Sequence, residues 1–147
     1  MSNKNVPFAI TLLVRDHCLC LHMQRAARKL ARTFDDVLRP LGLTSGQFSL
    51  LMSLNRPAPP AMKDVAYVLA MDRTTLTAAL KPLERRGLVH IAPDPNDKRS
   101  KLLSLTPAGS ELLAQAFPVW QRTHAEMENL LPQGEADKLR QDLLALS

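Results

Sequence analysis

Little in this chain favours a cross-linked or membrane-embedded fold. It contains two cysteines in 147 residues, Cys18 and Cys20, and both stand in helix-like sequence. That scarcity excludes a disulfide framework and suits a reducing cytoplasm. Long apolar runs are also missing. The stretch from Phe8 to Val14 is apolar but too short to cross a bilayer, and it lacks a small-residue cleavage site before Arg15 and Asp16. The expectation is a cytoplasmic protein with no membrane partner. No repeat at a solenoid period is present. No Ser-His-Asp set, paired-carboxylate spacing, phosphate loop or closed metal motif is readable, so neither an enzyme nor a cofactor is expected.

What is present is charge, distributed by segment. The net charge is +5, yet residues 1–39 carry seven Lys/Arg against three acids, residues 72–101 seven against four, and residues 102–147 three against six. A polyanionic partner would therefore meet the first two segments and not the acidic tail.

The apolar residues Leu19, Met23, Ala26, Ala27, Leu30, Phe34, Val37, Leu38 and Leu41 recur at three and four, which predicts a long amphipathic helix ending near Pro40 and Gly42. Thr44 and Gln47 have capping-box spacing, with Leu43 and Phe48 at staple positions, so a helix should run to about Leu54. Asn55-Arg-Pro-Ala-Pro-Pro60 is a loop, because its prolines cannot lie inside a helix. Met62–Ala70 reads as a short helix. Asp72 caps the next, which runs to Arg86, stops at Gly87 and should bend at Pro82. Two short helices joined by a tight turn form a helix-turn-helix.

Leu88–Ala92 and Leu102–Leu105 read as strands of a hairpin around the basic loop Asp94-Pro-Asn-Asp-Lys-Arg-Ser-Lys101. Thr106 and Pro107 start a helix through Trp120 to about Leu130, kinked at Pro118. Pro132 opens a last helix with Ala136, Leu139, Leu143 and Leu146 on one face. The fold class is mainly α with a small β-hairpin wing. Three regions are expected: 1–42, an N-terminal dimerisation helix region; 43–106, a winged helix-turn-helix domain; and 107–147, C-terminal dimerisation helices. Trp120, Met127, Leu130, Leu139 and Leu143 form apolar faces that a lone chain would expose, which predicts an obligate homodimer.

A recognition helix meets bases with its first two turns, which makes Arg73, Thr74, Thr75, Thr77, Ala78 and Lys81 the candidates for edge or phosphate contact on double-stranded DNA. Leu76, Leu80 and Leu83 belong to the core. Lys98, Arg99 and Lys101 on the hairpin add phosphate or minor-groove contacts, and Asp97 stands where it could orient the Arg99 guanidinium. The bland alternative is a solvated helix surface. A winged-helix adaptor that binds only protein is the competing class, and the basic hairpin argues against it.

Five blocks in order make the chain resemble the MarR family of winged helix-turn-helix regulators: Leu43-Thr-Ser-Gly-Gln-Phe-Ser-Leu-Leu51, Asp72-Arg-Thr-Thr-Leu-Thr77, Leu83-Glu-Arg-Arg-Gly-Leu-Val89, Asp94-Pro-Asn-Asp-Lys-Arg99 and Leu105-Thr-Pro-Ala-Gly109. The resemblance covers about residues 15–131. It implies a homodimer with interlocking terminal helices, a pseudo-palindromic operator, usually repression, and release by a small molecule or oxidant. The family's Asp-x-Arg wing motif falls on Asp97 and Arg99, whose Arg enters the minor groove in relatives.

The segment Asp16-His-Cys-Leu-Cys-Leu-His22 is the candidate sensor. With Asp16 as cap, Cys18 would occupy the first turn, where the helix dipole favours a thiolate, and His22 and Arg25 would follow on nearly the same face. Cys20 would lie some 200° away, too far round one helix for a disulfide with Cys18. Cys20 also looks like the peroxide-sensing cysteine of the family's organic-hydroperoxide branch. That branch uses tyrosines beside its thiolate, however, and the one Tyr here is Tyr67 in the DNA-binding lobe. Three readings stay open: cysteines that only pack, a redox or electrophile sensor, and a soft-metal or arsenite site using His17, Cys18, Cys20 and His22, with His124 from a partner. The basic stripe Arg25, Arg28, Lys29 and Arg32 offers a further alternative, a small organic anion as inducer.

Overall fold

The computed structural model describes residues 5–147. Within them the order is α1 (Phe8–His17), α2 (Leu19–Leu38), a 3-10 turn (Arg39–Leu41), α3 (Ser45–Leu54), α4 (Met62–Val68), α5 (Arg73–Arg85), β1 (Val89–Asp94), β2 (Asp97–Leu105), α6 (Pro107–Glu128) and α7 (Glu135–Ala145). This is the mainly helical, winged architecture expected. The Phe8–Val14 run, read only as too short for a membrane, forms the extra helix α1, which buries none of its residues in this chain.

Local chemistry explains most boundaries. Thr44 Oγ1 accepts from Gln47 N at 3.1 Å while Gln47 Oε1 accepts from Thr44 N at 3.1 Å, closing the capping box of α3. Gly42 and Gly87 end the preceding helices with φ of 70° and 72°, a region that side chains disfavour. Helices α5 and α6 run on through Pro82 and Pro118. The last helix begins later than expected, at Glu135, because Gly134 at φ 83° turns the chain after Pro132.

One apolar core joins these pieces. Leu38, Leu51, Val65, Leu76, Leu80, Leu83 and Leu103 are fully buried, so α2, α3, α4, α5 and the hairpin share a centre. Trp120 does not stand on an exposed face as expected. It is half-buried and stacks on Phe48 and Phe117, with ring centroids 6.0 Å away in both cases, and on His124 at 4.7 Å. Arg140 ties α7 to α6 through Glu128 at 2.6 Å.

The hairpin is longer than the sequence suggested. Its register runs from Val89↔Leu105 to Pro93↔Lys101, then jumps to Asp94↔Asp97. Lys98, Arg99 and Ser100, read as loop, belong to β2 and form a bulge without Cα partners on β1. Pro93 fits beside that bulge because it has no N–H to pair. Pro60 anchors the hairpin from the other side, accepting from Leu103 N at 2.9 Å.

Candidate nucleic-acid interface

Helix α5 presents two faces for a sequence reason: Leu76, Leu80 and Leu83 recur at four and three and are buried, which turns the intervening polar residues outward. Arg73, Thr74, Thr77, Ala78 and Lys81 line one open groove of about 330 Å³ along the exposed side. Thr75 stands apart from it. Its N–H donates to Asp72 Oδ1 at 2.7 Å and its hydroxyl to Asp72 Oδ2 at 2.8 Å, so it helps cap the helix. These bonds hold the Asp72 carboxyl below the usual aspartate range, the backbone bond from Thr75 contributing most. The Thr77 hydroxyl donates to Arg73 O at 2.7 Å, a bond back into its own helix.

The wing places Lys98, Arg99 and Lys101 in exposed positions along β2. Asp97 acts differently from the expectation. Its Oδ1 accepts from the backbone N of Arg99 at 3.0 Å, so it braces the bulge and leaves the guanidinium to project. At the tip Asp94 accepts from Asn96 N at 2.9 Å, the Asx-turn chemistry that folds the hairpin. Strand β1 packs on α5, which puts the wing and the groove on one lobe. Two basic, exposed elements fixed to a common core suit a polyanion with grooves.

The candidate sensor is built otherwise than the sequence implied. Asp16 does not cap α2: it lies in the last turn of α1, paired with Arg15 Nε at 2.7 Å. Cys18 is itself the cap. It is extended (φ −68°, ψ 112°), half-buried, and its Sγ accepts from Leu21 N at 3.4 Å. Cys18 thus stands just outside the helix that holds Cys20, and the separation of roughly 200° for two cysteines within one helix does not describe this pair. His22 Nδ1 faces Cys18 O at 2.7 Å, and exposed Cys20 accepts from Gln24 Nε2 at 3.4 Å. Arg25 is exposed on the same helix. Among the described residues no three His, Cys, Asp or Glu side chains cluster as a metal site would require.

Sequence reading missed one cavity. About 480 Å³ of space lies between α3, α4 and α6, walled by Phe48, Met52, Leu69, Phe117 and Trp120, with Arg56 at its polar edge. The aromatic spacing Phe117 to Trp120 was visible, but its pairing with Phe48 was not.

A winged helix-turn-helix with a basic wing beside its second short helix defines the class: transcription regulators of the winged type. The chain belongs to the MarR family. The MarR family profile matches residues 43–101. The chain is 34% identical over 113 residues to the multiple antibiotic resistance protein MarR of Escherichia coli, covering 76% of this chain and 78% of that one. It is 30% identical over 101 residues to the organic hydroperoxide resistance transcriptional regulator of Bacillus subtilis, 69% of each chain being covered. Among solved structures, the M. tuberculosis regulator MosR in complex with DNA aligns with a TM-score of 0.80 at 35% identity, over 88% of this chain and 93% of that one. An E. coli MarR mutant complexed with operator DNA aligns with a TM-score of 0.81 at 29% identity, over 92% and 97%.

Proposed function

We propose that this protein is a cytoplasmic, non-enzymatic repressor that binds a pseudo-palindromic DNA operator as a homodimer and leaves it when a small molecule, oxidant or electrophile acts. The observation that carries the DNA reading is the placement of Arg73, Thr74, Thr77, Ala78 and Lys81 along one open groove on the lobe that also carries the basic wing. In this reading α5 enters the major groove and Arg99 reaches the adjacent minor groove, while Lys98 and Lys101 contact phosphate. MosR and MarR, solved on DNA, support the assignment. The regions 1–42, 43–106 and 107–147 divide the work between dimerisation and DNA reading. Footprinting of genomic fragments by the purified protein tests it; retardation of no fragment in a gel shift would favour the protein-only adaptor.

For relief of binding, two sites have support. Cys18 caps α2 through its sulfur, so oxidation or alkylation there changes the bulk and charge of the group that accepts from Leu21 N and disturbs the start of the dimerisation helix. The aromatic cavity walled by Phe48 and Trp120 suits a flat apolar effector, with Arg56 available to an anionic group. Separate Cys18→Ser and Cys20→Ser variants, challenged on DNA with an organic hydroperoxide, a quinone and arsenite, distinguish them. Oxidant release abolished by one substitution identifies a sensing thiol, and arsenite release requiring both cysteines identifies a metalloid site. Unaltered responses in the double variant leave the cysteines to packing and the cavity or the Arg25 stripe to regulation.

A further inference from the structure

We infer that Arg86 is a positioning residue for operator reading: it fastens the C-terminal end of the recognition helix α5 to the end of the dimerisation helix α2. The inference rests on the DNA-binding reading above and adds the part that aims the helix. Arg86 caps the end of α5, and its Nη1 donates to Gly42 O at 2.8 Å, a bond across 44 residues of chain. Gly42 closes the turn that follows α2 with φ 70°, and a Cβ built there would lie 3.1 Å from Arg86 Nη2. The glycine thus makes the left-handed turn and leaves room for the guanidinium against its backbone. A second hydrogen bond braces the α2 side of the junction, from Ser45 N at the start of α3 to Asp35 Oδ1 in α2 at 2.6 Å.

Position explains why this bond matters. Leu76, Leu80 and Leu83 hold the underside of α5 by apolar contact, which is strong but non-directional. A hydrogen bond from the Arg86 guanidinium to a backbone carbonyl fixed in a tight turn is directional, and it sets where the helix end points. Because α2 carries the dimerisation surface in the proposed assembly, its movement would reach α5 through Gly42 and Arg86. The acceptor is a carbonyl rather than a carboxylate, so the cation is not neutralised and a phosphate contact is the rival role for the same side chain.

Titrations of a duplex carrying the footprinted site and of an unrelated duplex, across salt concentration, separate the two roles. Arg86→Ala and Arg86→Gln are expected to lose about tenfold in affinity for the footprinted site, as for one charge-assisted hydrogen bond, with the unrelated duplex and the salt slope unchanged. Gly42→Ala crowds the guanidinium without changing any charge and should lose operator affinity in the same direction. The double variant should be no worse than its weaker-binding parent, with thermal melts confirming that each protein is folded. A phosphate contact would instead weaken both duplexes and lower the salt slope by about 0.9. That result, fully additive losses, or an Arg86→Ala isotherm that overlays the wild type would overturn the proposal. A wild-type protein that footprints no genomic fragment would remove the DNA reading itself and this proposal with it.

Discussion

Arg99 occupies a backbone bulge whose freed N–H is taken by Asp97, so its side chain can be deleted with little cost to the hairpin. Arg99→Ala is expected to weaken operator binding by roughly 1–3 kcal/mol and to flatten its salt dependence while the melting temperature stays nearly constant. Isotherms at several salt concentrations check both. Thr77→Ala should change sequence preference, whereas Thr75→Ala also weakens the cap, because the Thr75 hydroxyl bonds Asp72. Asp72 gives a pH signature. Its folded-state pKa lies below the unfolded value, so its contribution is fully present above the usual aspartate pKa of about 3.9 and is lost as pH falls through the folded value. Asn caps a helix without titrating. Thermal unfolding from pH 7 to pH 3 should therefore show the wild type losing more stability on acidification than Asp72→Asn.

At the scale of elements, the joint between wing and α6 is the tightest stitch. Thr106 Oγ1 donates to Gly87 O at 2.5 Å and accepts from Gly109 N at 3.0 Å, while Thr106 N donates to Leu88 O at 3.1 Å. Gly109 is buried in the first turn of α6, and a Cβ there would stand 2.0 Å from Leu88 O. Backbone cannot retreat as a flexible side chain can. Gly109→Ala should cost about 1–3 kcal/mol in urea unfolding by overpacking, and shift the wing relative to α6. Wild-type stability in that variant would show that the joint has slack.

For the whole molecule, most of the exposed large apolar side chains lie on or beside the terminal helices, with Tyr67 and Val68 of α4 exposed apart from them. Phe8 is 71% exposed, Leu19 65% and Leu144 73%, and Leu130, Leu139 and Leu143 are exposed with them. Surface of this kind on α1, α2 and α7 fits a second copy. Sedimentation equilibrium at low micromolar concentration is expected to give a dimer, and a folded monomer there would remove the proposed architecture. Trp120 falls outside this argument, since it packs within its own chain.

Local signals were legible in the sequence itself. The capping box at Thr44 and Gln47, the Asp72 and Thr106 caps and the stops at Gly42 and Gly87 follow from contacts within a few residues, and the spacing of Leu76, Leu80 and Leu83 puts them on one face of α5. What required the tertiary structure was every feature joining distant segments. The bulge at Arg99 depends on the register with β1, the aromatic cavity on α3 meeting α6, and the Arg86 bond on α5 meeting the close of α2. Periodicity reports which face of an element is apolar, but only packing decides what that face, or a long side chain at its edge, will meet.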